Sequence, residues 1–158
     1  MFMFMDTEGK VAIDLAGMDI DGVSVFKEGL CGVSKNEKWG FIDRTGKLVI
    51  PIKYYWPYFN TKPVFDHGLC LTAQFGLVSA INREGKEVIP PVCRRIHWLV
   101  DDLFLVVFPD GSEGALNHNG EGVLYDGYQS IELRERRLIA VKDGERLEFD
   151  LQGDPIES

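Results

Sequence analysis

Three cysteines and three histidines offer the most chemistry in this chain: Cys31, Cys70 and Cys93, with His67, His97 and His118. A thiol beside an imidazole and an orienting carboxylate would make a nucleophile, and Cys31, Cys70 and His97 together would offer a zinc ion two thiolates and an imidazole. The spacing favours neither use. Zinc ligands usually come in close pairs such as C-x2-C, and no cysteine here has such a neighbour. His67 falls in the turn from Phe65 to Leu69 and His118 inside a hairpin loop, so both read as exposed loop residues. The expectation is no catalytic residue, no metal ligand and no cofactor, with Cys31 and Cys70 packing as small hydrophobes in equivalent strands. A hydrolase or metal-dependent enzyme using the Cys and His residues is the alternative from another class. The acids Asp101-Asp102 and Asp19-Ile20-Asp21 lack the spaced oxygen ligands of a calcium loop and read as solvated turn residues.

The aromatic residues carry a different kind of chemistry. In Lys53-Tyr54-Tyr55-Trp56-Pro57-Tyr58-Phe59-Asn60 five aromatic rings crowd one connection, more than a core can absorb. Tyr54 and its counterpart Tyr128 are assigned to the core. Tyr55, Trp56, Tyr58 and Phe59 are candidate partner-binding residues, because exposed Trp and Tyr anchor protein interfaces. The corresponding connection further on adds Arg94, Arg95, His97 and Trp98, followed by Asp101 and Asp102.

These residues must be positioned by the elements around them, and a repeated turn signature shows what those are. Asp or Asn followed three residues later by Gly occurs at Asp6 to Gly9, Asp43 to Gly46, Asn82 to Gly85, Asn117 to Gly120 and Asp150 to Gly153, the glycines 37, 39, 35 and 33 residues apart. Such a loop wants the Asx side chain to bond amides ahead of it and a left-handed glycine to close it, which makes each copy a hairpin. Short strands follow the turns, as in Lys47 to Pro51 and Lys86 to Pro90, and the prolines are expected to end them. A leucine opens another strand in each unit, at Leu30, Leu69, Leu103 and Leu138. The pattern predicts an all-β fold of about four tandem three-stranded antiparallel meanders in one domain spanning 1–158, with units near 1–28, 29–65, 66–101, 102–135 and 136–158. An open arc and a small closed propeller-like ring fit the spacing equally.

Residues 38–51, Lys38-Trp39-Gly40-Phe41-Ile42-Asp43-Arg44-Thr45-Gly46-Lys47-Leu48-Val49-Ile50-Pro51, preceded by Phe26-Lys27-Glu28-Gly29-Leu30, resemble one complete copy of the bacterial WG repeat. A second copy has Val78-Ser79 in place of Trp-Gly, a third has Glu113 before Gly114, and a fourth has Arg146-Leu147. The resemblance implies a β-repeat architecture and a binding role, with no catalytic motif to carry over. Trp39 reads as a core residue, and Gly40 as the place where a neighbouring backbone comes close.

Composition narrows the function classes. The chain has 158 residues, 45% of them hydrophobic, and a formal charge of −8, which repels nucleic acid and attracts a basic protein. Residues 101–130 hold six acids and no Lys or Arg, while residues 31–60 carry a net +3. The apolar opening, Met-Phe-Met-Phe-Met, is too short for a secretory signal, no run approaches the roughly 20 residues of a membrane span, and the odd cysteine count suits a reducing compartment. The reading is a cytoplasmic, non-enzymatic protein-binding module. Its sharper form is an immunity protein that neutralises a cognate toxin, with an oligomerisation domain as a further alternative.

Overall fold

In the computed structural model, which describes residues 2–5, 7–8 and 11–156, sixteen strands form five sheets and no helix occurs among the described residues. The chain divides into two compact units, residues up to Ala73 with 81–87, and 74–80 with 88 onward.

The first unit opens with a two-stranded sheet, β1 (Met3–Met5) and β2 (Val11–Asp14). The turn signature from Asp6 to Gly9, and Lys10 after it, rest on residues outside those described. A four-stranded sheet follows in chain order: β3 (Gly22–Lys27), β4 (Leu30–Lys35), β5 (Lys38–Ile42) and β6 (Leu48–Tyr54). Then come β7 (Leu69–Gln74), β8 (Leu77–Asn82) and β9 (Glu87–Cys93), a three-stranded sheet. In the second unit β10 (Arg95–Val100), β11 (Leu103–Val107), β12 (Glu113–Asn117) and β13 (Gly122–Tyr128) form four strands, and β14 (Ser130–Arg134), β15 (Arg137–Lys142) and β16 (Glu145–Phe149) form three.

The Asx-Gly turns organise these meanders. Asp43, Asn82, Asn117 and Asp150 each accept through Oδ1 from the amides two and four residues ahead, at 2.8–3.2 Å. Each following glycine amide donates back to the carbonyl of its Asx residue, and the glycine takes a φ of 80–89°. One carboxylate or amide oxygen thus satisfies two amides that the loop would otherwise leave bare.

Two sheets gain a fourth strand because the residues ahead of the leucine strand also pair. Arg95 faces Val107 and Ile96 faces Val106, so the connection expected around Arg94, Arg95, His97 and Trp98 is mostly the strand β10. The prolines do not end their strands either. Trp39 and Phe41 of β5 face Tyr54 and Ile50 of β6, so β6 bulges between them, and Pro51 sits in that bulge on the last strand of its sheet. There its missing N–H costs no ladder bond. Glu113 and Ala115 face Tyr128 and Leu124 with the same register shift, which confirms that Tyr54 and Tyr128 are equivalent.

The four-stranded sheet of the first unit is covered on both faces, so β4 is buried nearly end to end instead of alternating. Cys31, Val33 and Ile42 pack with Ile13 and Leu15 on one face, while Leu30, Phe41 and Ile50 pack with Phe65, Cys70 and Ile81 on the other. Phe41 and Phe65 meet edge to face, centroids 4.7 Å apart, and each contributes about 1.5–3 kcal/mol by burial. The second unit has its own core of Leu103, Ala115, Leu124, Tyr128, Ile131, Leu138 and Phe149.

Candidate functional site

Where β3, β10 and β14 pair along the leucine strands that follow them, the segment ahead of β7 has, among the described residues, only two single contacts, Tyr55 with Ala73 and Asp66 with Leu69. Ten residues lie between Tyr55 and Asp66, but three lie between their partners, so seven residues have no counterpart across the ladder. This excursion, residues 56–65, holds most of the aromatic cluster.

Its ends and flanks are fixed. The Ala73 amide donates to the Tyr55 carbonyl at 2.9 Å, and Asp66 and Leu69 exchange backbone bonds. Pro63 and Phe65 are buried, Trp56 Nε1 donates to Thr61 Oγ1 at 3.1 Å, and Lys62 Nζ donates to the Val23 carbonyl at 2.8 Å. Trp56 is half-buried and stacks edge to face on Tyr58 at 5.3 Å, above an apolar crevice lined by Trp39, Tyr54, Pro63 and Cys70. Tyr55 is exposed and lies 5.9 Å under Lys38 Nζ; Tyr58 is exposed, and Phe59 wholly so. The cluster therefore separates into Trp56, which braces the excursion, and Tyr55, Tyr58 and Phe59, which face solvent.

In the second unit Arg94 and Arg95 are exposed at the start of β10, the edge strand of its sheet, and His97 and Trp98 follow. Trp98 is 44% exposed, and its Nε1 donates to the Asp101 carbonyl at 2.9 Å. Asp101 and Asp102 are exposed turn residues, as expected, and both are paired. Asp101 Oδ2 accepts from Arg136 Nη2 at 2.6 Å, and Asp102 Oδ2 lies 3.0 Å from His118 Nδ1, tying three hairpin tips into one charged rim. Arg136 and His118 were not legible as partners, because sequence spacing does not report which tips meet. Asp21 is likewise engaged, accepting from Ser34 Oγ and the Asn36 amide, both at 2.9 Å, and these bonds hold its carboxyl below the usual range.

The thiols are poorly suited to chemistry. All three are free and buried; burial pushes Cys70 up to about 12 and Cys93 up to about 11, and raises Cys31. Cys31 and Cys70 belong to separate core clusters, and among the described residues no group of three His, Cys, Asp or Glu is placed to hold a metal ion. An open groove of about 570 Å³ beside β16 offers Arg146 and Glu148, which face each other at 3.5 Å.

The Trp-Gly position is structural. A Cβ on Gly40 would strike the Ile50 carbonyl and stand 2.7 Å from Ile52 N, so β5 and β6 approach as closely as they do only because a glycine is there. In the third copy Glu113 takes the Trp position and accepts from the Ile131 amide at 2.8 Å, replacing ring packing with a hydrogen bond to the next strand.

These features define an all-β protein of tandem antiparallel meanders. The WG containing repeat matches residues 2–39, 39–59 and 79–107, more than half of the chain, and the chain belongs to that family. No curated protein matches it. Among solved structures it is similar to the computationally designed Ika4 protein, at 16% identity and a TM-score of 0.40 over 87% of this chain and 95% of that one. It is also similar to KlHsv2 with loop 6CD replaced by a Gly-Ser linker, at 11% identity and a TM-score of 0.48, and covers 87% of this chain but 51% of that one. No helix among the described residues is long and apolar enough to cross a membrane.

Proposed function

We propose that this chain is a non-catalytic recognition module for another protein. The observation that carries the reading is the excursion at 56–65: a braced segment holds the ring of Phe59 wholly in water, where it gives the fold nothing, and beside it the exposed side of Tyr58, whose other side stacks on Trp56. Rings presented on a segment already fixed lose little entropy on docking, which is what an interface anchor needs. The exposed residues Arg94, Arg95, His97 and Trp98 along β10 and just ahead of it, with the neighbouring Asp101 and Asp102, are a second set of contact residues. A charge of −8 favours a basic partner. The finer form of the reading is a cytoplasmic immunity protein that covers a basic bacterial toxin, and the three free thiols fit a reducing compartment.

The test compares affinity capture from the cells that make the protein, at low and high salt, using wild type and Tyr58→Ser/Phe59→Ser. Phe59 is wholly exposed and Tyr58 gives up only its edge-to-face contact with Trp56, so the double variant should lose no more than about 1.5 kcal/mol of stability and stay folded. A single basic protein retained by wild type, released by salt and lost with the double variant supports the reading. Equal retention by the double variant, or no specific protein at either salt, overturns it.

A further inference from the structure

Nine non-glycine residues among those described have positive φ, and eight of them are polar or charged: Glu28, Asn36, Glu37, His67, Asp101, Glu135, Arg136 and Asp143. The ninth is Phe75. It shares with Gly76 the two-residue turn between β7 and β8, at φ 55° and 76°. Successive left-handed residues are what a tight hairpin of this kind demands, and Asn, Asp or Gly meets that demand at least cost. Asn36-Glu37 and Asp143-Gly144 fill the corresponding turns elsewhere in the chain. A bulky aromatic residue in this backbone region is a steric outlier. The ring does not recover the loss by burial, since Phe75 is 93% exposed.

A residue that strains the backbone and leaves its apolar side chain in water weakens the fold twice over, and strain of this kind collects where a protein binds. We infer that Phe75 is a second anchor, whose ring enters an apolar pocket with a basic rim on a partner protein. The inference rests on the protein-binding reading above. A lipid surface fits less well: Gln74-Phe75-Gly76 carries no cation, and a chain of charge −8 is repelled by anionic headgroups. A single hairpin-tip ring instead matches a pocket sized for one side chain, the arrangement in which aromatic anchors contribute most.

The key variant is Phe75→Asn, which places in the turn a residue suited to its backbone. Its melting temperature should rise above wild type, while retention of the basic protein captured by wild type should fall roughly tenfold or more. In a second measurement p-benzoylphenylalanine replaces Phe75 in living cells, with the same probe at exposed Val25 as the control; irradiation should link position 75, and not position 25, to that same protein. A melting temperature at or below wild type refutes the strain argument. Undiminished capture by Phe75→Asn, or crosslinks only to lipid or to a second copy of this chain, refutes the anchor. If capture still depends on Tyr58 and Phe59, the anchor fails alone; if wild type captures nothing, both readings fail.

Discussion

Gly40→Ala should be among the most damaging single-methyl additions this protein can receive. The new Cβ would lie 2.7 Å from both Ile52 N and Pro51 C and closer still to the Ile50 carbonyl, against about 3.4 Å for an ordinary contact. All three obstacles are backbone, so no rotamer change relieves them, and β5 and β6 must separate. Overpacking of this kind costs about 1–3 kcal/mol, and weakening one or two ladder hydrogen bonds adds about 1 kcal/mol each. Against this, alanine restricts the unfolded chain and returns about 0.4–1 kcal/mol. The net loss is about 3 kcal/mol. With a urea slope of about 2 kcal/mol/M the unfolding midpoint, followed by circular dichroism, should drop by about 1.5 M. Gly114→Ala, whose nearest obstacle is the Leu124 carbonyl at 3.2 Å, should cost less, and Gly17→Ala, with nothing within 4 Å, should be neutral or slightly stabilising. If Gly40→Ala unfolds at the wild-type midpoint, or if Gly17→Ala falls as far as Gly40→Ala, the close-approach account of the Trp-Gly pair is wrong.

Two further outcomes follow from the buried and hydrogen-bonded groups. Native protein at pH 8 should show no fast-reacting thiol with a disulfide reagent and three after denaturation, because burial keeps Cys31, Cys70 and Cys93 protonated and covered; one rapid thiol in the native state would contradict this. Asp21 is held below the ordinary carboxylate range by the Asn36 amide and the Ser34 hydroxyl, so its stabilising contribution is full above the unfolded value of about 3.9 and is lost as pH falls through the lower folded value. Melting temperatures between pH 7 and pH 2 should therefore fall less steeply at the acid end for Asp21→Asn than for wild type, and identical slopes would remove Asp21 from the account.

The repeat was legible because its signature is local: an Asx oxygen and a glycine three residues on fix their own hydrogen bonds whatever the rest of the chain does. The strand ends were not, because a proline stops a strand only where its N–H is needed. Pro51 sits on an edge strand, in a bulge, and neither property is written in the residues around it. For the same reason Arg94 to Trp98 read as a connection, although pairing with β11 makes most of it a strand. Composition pointed to the aromatic cluster at 55–59, but the division of labour between Trp56 and Phe59 depends on Thr61, Pro63 and the crevice beneath, which only the folded chain brings together. Phe75-Gly76 carried a readable cue, an X-Gly pair between the apolar runs at Leu69 and Leu77.

The excursion at 56–65 leaves the ladder at one contact and rejoins it at another, so its length is uncoupled from the register of the strands it interrupts. Residues can be inserted, deleted or exchanged between Pro57 and Thr61 without moving a single pair in β7, and doubling such a loop costs only about 0.6 kcal/mol in closure entropy. That makes the segment a cassette. On the binding role proposed above, descendants of one scaffold would acquire new targets by rewriting a handful of positions here, and a designer would graft a foreign binding loop at the same two points.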